Sequence, residues 1–169
     1  RTPGTPATGN PVLREWRDIA AHADAIEALV QQWRPDTIHA HSPVLDAIAG
    51  LRVAKKRGIP FVYEIRAFWE DAAVGNGTGK QGSPRYRVTK ALETWAVRRA
   101  DEIVVICEGL KSDLTTRGID AGRITVSPNG VDLHLFGNPL PHDTGLAEEL
   151  GLSDAETIGF IGSFYDYEG

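Results

Sequence analysis

An alternation of two hydrophobic periods limits this chain most. Short runs rich in β-branched and aromatic residues, "TIHAH" at 37–41, "IPFVYEIRAF" at 59–68, "EIVVIC" at 102–107 and "RITVSP" at 123–128, are separated by stretches with helical spacing. Before the first run, Trp16, Ile19, Ala20, Ala23, Ile26, Leu29, Val30 and Trp33 mark one face of a helix from Pro11 to Trp33. Ser42-Pro43 predicts an N-cap and a pre-set first turn for a helix over Val44 to Arg57, which Gly58 stops. Ser83-Pro84 opens a further helix to about Ala100, with Val88, Leu92, Trp95, Ala96 and Arg99 along one side, and Glu108 to Thr116 form a shorter one. Between the second run and that helix, the glycine-rich "EDAAVGNGTGKQGSPRYR" predicts a long mobile loop. Strand and helix in this order call for right-handed crossovers and a parallel α/β sheet with helices on both faces.

Ligands of such sheets bind at the carboxyl ends of the strands. There the segment "TVSPNGVDLHLFG" places Pro128, which has no donor for a ladder, before Asn129-Gly130, two residues that tolerate positive φ, so a sharp turn is expected. After Asn138 a Pro-rich connector with one short helix reads as a linker over 138–156. "TIGFIG" then reads as a new strand, so 1–137 form one domain and 157–169 begin another. An opening without Met, in a Pro/Gly/Thr-rich stretch, reads as a piece of something longer.

The bulk properties narrow the partners. A net charge of -5 argues against a nucleic-acid backbone, which needs uncompensated Lys and Arg. The single cysteine, Cys107, forms no internal disulfide, fits a reducing compartment and reads as a small buried hydrophobe. No apolar stretch approaches the roughly 18 residues of a spanning helix, and the chain reads as cytosolic. His39 and His41 share one strand face, but no Cys or carboxylate at ligand spacing completes a metal site, so no metal is expected. Glu64 and Arg66 share a face of the second strand and most simply form an ion pair; alternatively Arg66 holds an anion by its planar fork. Glu70 and Asp71 are paired carboxylates on the following loop. Arg85, Arg87 and Lys90, with Arg98, Arg99, Tyr86 and Trp95, offer a basic amphipathic face for an anionic lipid surface or simply a solvated helix face.

In order, "PDTIHAHSP", "IPFVYEIRAFWEDA", "RRADEIVVICEGLKSDL", "RITVSPNGVD" and "IGFIGSFYDYEG" resemble the retaining glycosyltransferases of family 4, which set two Rossmann-like domains around one cleft. "RAFWEDA" and the loop after it are most similar to the exosortase-associated exopolysaccharide transferases. The resemblance implies a partial N-terminal, acceptor-side domain of GT-B build plus the first strand of the donor-side domain. It implies a nucleotide-sugar donor, a lipid-linked or saccharide acceptor, no metal or other cofactor, and action in bacterial exopolysaccharide assembly at the cytosolic side, with peripheral membrane contact. His41, Ser42, Arg66, Glu70, Asp71, Asn129 and Gly130 would then line the cleft, with Glu70 and Asp71 binding acceptor hydroxyls or ordering the loop. Gly162 and Ser163 would form the donor-phosphate loop, although the Arg and Lys usual around that loop are not matched here. The main catalytic residues would lie past Gly169, leaving these residues alone inactive. A non-catalytic module of the same fold and a sugar-phosphate synthase of similar build are the alternatives. Exposed sheet edges at "TIHAH" and "TIGFIG" would invite dimers or exchanged strands.

Overall fold

A computed structural model describes residues 10–153 and 155–162. Helix α1 (Pro11–Trp33) begins where the Asn10 side chain accepts from the Val12 N–H. Then follow β1 (Ile38–His41), α2 (Val44–Arg57), β2 (Phe61–Ile65), α3 (Trp69–Gly75), α4 (Pro84–Arg99), β3 (Glu102–Val105), α5 (Glu108–Thr116), β4 (Ile124–Val126), α6 (Leu133–Phe136) and α7 (Thr144–Glu149). The strands form a parallel sheet in the order β1-β2-β3-β4. This is an α/β fold with a Rossmann-like sheet flanked by helices.

Right-handed crossovers between strands in unbroken order deliver every connecting helix to one face; a second face is covered only where the order reverses. The burial alternation agrees. Phe61, Tyr63, Ile65, Ile103 and Val105 are buried with α2 and α4 residues in one core, whereas His39, His41, Val62, Glu64, Val104 and Thr125 on the alternate positions are half-buried or exposed. Helices on both faces are therefore not found among the described residues. α2 comes close to the sheet through small residues: Ala47, Ala49 and Gly50 are buried, and a Cβ on Gly50 would stand 2.7 Å from the Phe61 ring. α1 packs on α2 through Ile19, Ala23 and Val30, and Arg57 and Lys56 of α2 reach its Glu27.

Several expectations change in three dimensions. Ser42 does not cap α2: Pro43 is the N-cap residue after a cis peptide bond, and the Ser42 hydroxyl accepts the Arg66 N–H instead, at 3.2 Å. The predicted long loop begins as helix α3 and ends in the first turn of α4, and the segment between them is pinned by Thr78 donating to the Ala73 carbonyl and by Ser83 N–H donating to that of Lys80. Of the predicted side of α4, Ala96 is buried and Leu92 packs half-buried on the core, whereas Val88 and Trp95 are exposed; Glu93 and Val97 are buried in their stead. Cys107 is exposed, because β3 ends at Val105 and Cys107 sits at the N-cap of α5.

The compact units of the chain divide between Pro128 and Asn129. In the second, neither Asn129 nor Gly130 takes a positive φ and no turn forms at the Pro-Asn-Gly segment. Leu133–Phe136 form the short helix α6, whose N-cap Asp132 accepts the His134 N–H at 2.8 Å. Residues 157–162 form no strand. Gly162 is described; Ser163 lies outside the described residues.

Candidate functional site at the strand ends

Parallel pairing brings together at the carboxyl ends of β1 and β2 what the sequence separates. Register sets His41 beside Glu64, and the Ser42 N–H continues the ladder to the Glu64 carbonyl at 2.8 Å. The Arg66 N–H, one step past β2, is then held by the Ser42 hydroxyl, and the Arg66 Nε stands 3.4 Å from Glu64 Oε1. His41 Nδ1 approaches the same oxygen at 3.2 Å, while His39 Nε2 is 3.2 Å from Glu64 Oε2. The two imidazoles stack with centroids 4.8 Å apart. His41, Ser42 and Arg66 thus form one cluster, with Glu64 at its centre and the Arg66 side chain 59% exposed, free to meet an anion. The cross-strand role of Glu64 had no sequence signal beyond its shared face with Arg66, because it depends on which residue of β1 the register sets opposite.

Glu70 and Asp71 are not one site. Neighbours on a helix point about 100° apart, so two adjacent carboxylates cannot grip one ligand together. The Glu70 side chain turns inward, fully buried, and its Oε1 accepts from Arg117 Nη1 at 2.9 Å. Arg117, itself 5% exposed, also holds Asp113 and lies over the Phe68 ring at 3.9 Å. This buried pair locks α3 to the end of α5. Asp71 points out and accepts the Tyr86 hydroxyl at 2.8 Å, which pushes the Tyr86 phenol up to about 12, with partial burial adding to it.

Below the site a second buried carboxylate, Glu93 of α4, accepts the Tyr63 hydroxyl at 2.6 Å. Burial pushes Glu93 up to about 7, and the nearby Glu70 pushes the same way. Burial and the adjacent Glu93 likewise raise the Tyr63 phenol.

The basic residues of α4 fall on two sides. Arg87 and Lys90 line a groove of about 500 Å³ with Arg98, Arg99 and Trp95, whose ring lies 4.3 Å beneath the Arg99 guanidinium. Arg85 faces a different concavity, beside Trp69 and Tyr86, because residues two apart on a helix diverge. A groove of about 580 Å³ between α2 and α4 opens at Pro60, Phe61 and Asp101, the amino ends of the strands, away from the His41–Arg66 cluster. No described helix is long and apolar enough to cross a membrane.

Residues 2–135 match the model of Glycosyltransferase Family 4. The chain is 32% identical over 133 residues to a D-inositol 3-phosphate glycosyltransferase of Xylanimonas cellulosilytica, covering 75% of this chain and 31% of that protein. It is 29% identical over 103 residues to a glycogen synthase of Mycobacterium tuberculosis, covering 60% and 24%. An alpha-maltose-1-phosphate synthase of Mycolicibacterium smegmatis is 26% identical over 135 residues, covering 74% and 32%. The chain thus spans about a quarter to a third of the length of these relatives.

Proposed function

The chain belongs to Glycosyltransferase Family 4, and from that premise we propose that it is the acceptor-side part of a retaining hexosyltransferase using a nucleotide-sugar donor. The observation that carries this reading is the His41–Ser42–Arg66 cluster at the carboxyl ends of parallel strands, where α/β sheets present their ligands. Arg66 is the group for an anion. Its guanidinium is exposed, its backbone is held by Ser42, and its planar fork suits a phosphate or carboxylate of the acceptor or donor. His41, 54% exposed beside it, is placed to accept or donate a hydrogen bond to an acceptor hydroxyl. Asp71 orders the segment after β2 through Tyr86. Asn129, Gly130, Gly162 and Ser163 are assigned to the cleft and the donor phosphates on the resemblance alone, as is transfer without a metal.

The acceptor in this reading is lipid-linked, and the process is exopolysaccharide assembly at the cytosolic face of a membrane. Support comes from the Arg87, Lys90, Arg98 and Arg99 groove, a basic surface with an aromatic residue in it. A soluble sugar-phosphate acceptor is the second reading, favoured by two relatives whose names carry a phosphorylated sugar or inositol.

The test is nucleotide release by the full-length gene product offered UDP-, GDP- and ADP-sugars, with a lipid phosphate or a free sugar phosphate. Release from one donor that rises with lipid phosphate, and falls at least about tenfold in Arg66→Ala, supports the reading. A response to free sugar phosphate alone moves the acceptor to the second reading. Silence with every donor from folded protein sinks both.

A further inference from the structure

The His39, His41 and Glu64 cluster has a second chemical meaning that the transferase reading does not use. Its three ligand atoms, two imidazole nitrogens and one carboxylate oxygen, lie within 4.8 Å of one another. We propose that these three side chains form a binding site for a first-row divalent metal ion of the zinc type on the open face of the sheet.

The geometry of the strands builds the site. His39 and His41 are two apart on β1 and so project from one face, and the parallel register places Glu64 of β2 directly beside His41. Two ligand atoms about 2.1 Å from a tetrahedral ion stand roughly 3.4 Å apart. His39 Nε2 lies 3.2 Å from Glu64 Oε2 and His41 Nδ1 3.2 Å from Oε1, and one ligand atom from each residue falls within 4.8 Å of the others, so the side chains close on an ion by small rotations. Two imidazoles and one carboxylate suit zinc and its neighbours better than magnesium or calcium, which favour oxygen-only shells. Three protein ligands leave a coordination position open for water or an anion.

The ion and Arg66 compete. Arg66 Nε lies 3.4 Å from Glu64 Oε1, one of the oxygens the metal needs, but the Arg66 side chain is 59% exposed and can swing into solvent. Without metal, the carboxylate faces the two imidazoles and the guanidinium. With it, the ion sits between the two imidazole nitrogens and the carboxylate, and Arg66 is displaced. This inference is independent of the transfer reaction, since binding is read on the chain itself.

The experiment is a titration of the chain, carrying no histidine tag, with Zn²⁺ by calorimetry and with Co²⁺ by visible absorption. One ion per chain is expected, with a Co²⁺ spectrum of four or five ligands. His39→Ala, His41→Ala and Glu64→Gln should each weaken binding at least about tenfold, while circular dichroism shows the fold intact. His22→Ala, which removes an imidazole 3.2 Å from Asp46 on another part of the molecule, should leave the affinity unchanged. Arg66→Gln should tighten it several-fold by removing a like charge beside the ion. No saturable binding, equal affinity in His39→Ala and the parent chain, or no gain in Arg66→Gln would each overturn the proposal.

Discussion

Glu93 offers the sharpest test of how this core is held together. Its side chain is fully buried in α4 beneath the sheet, and among the described residues its one partner at hydrogen-bonding distance is the Tyr63 hydroxyl at 2.6 Å, while its other oxygen, Oε2, has none. Burial lifts its pKa from an ordinary 4.5 to about 7. The sign follows from proton linkage. Between those values the folded protein holds a proton that the unfolded chain has released, so the contribution is fully present below 4.5 and is lost as pH rises through about 7. The span corresponds to roughly 3 kcal/mol, since each pK unit is worth about 1.4 kcal/mol. Glu93→Gln keeps an oxygen for Tyr63 and removes the ionisation. Measured by urea denaturation, the variant should gain on the parent by about 2–3 kcal/mol between pH 5 and pH 8, whatever constant offset its altered packing adds. Comparing the two proteins at each pH cancels the titration of every other group. A gap between them that stays constant over this range would refute the argument, because it would mean that Glu93 is ionised in the folded protein at both pH values.

Two further expectations concern packing. Arg117→Met strands the buried Glu70 carboxylate and should cost about 3–5 kcal/mol in urea, whereas Glu70→Leu combined with Arg117→Met should restore most of that loss; additive single effects would show that the 2.9 Å pair carries no coupling. Gly50→Ala should destabilise by about 1–3 kcal/mol in thermal melts despite the better helix propensity of Ala, because the new Cβ meets the ring of Phe61, which is only 1% exposed and has no room to yield; a stabilised variant would show that α2 lifts away freely.

Local features of the residues carried much of the architecture. Periodicity and capping residues determined α1 from Pro11 to Trp33, the Ser83-capped start of α4 and α5 from Glu108 to Thr116, because each rests on contacts within a few residues of itself. Alternation likewise determined a parallel sheet, and the strand ends pointed to His41 and Arg66, to which the resemblance added Ser42; the structure gathers the three into one cluster. Features made by partners far along the chain were not legible. Glu93 looks like any charged helix residue until Tyr63, thirty positions away, covers it. Glu70 looks like half of an acidic pair until Arg117 draws it inward and leaves Asp71 to Tyr86. Asn129-Gly130 allowed a tight turn but did not require one, since glycine permits a conformation without enforcing it. Ser42 had the chemistry of a cap, yet sheet pairing placed the Arg66 N–H nearer its hydroxyl. Within residues 10–128 the sequence by itself determined the four strands, the helices α1, α2, α4 and α5, and which strand ends carry polar groups. Tertiary structure decided that His39, His41 and Glu64 converge, because that depends on a one-residue choice of register that no local pattern encodes.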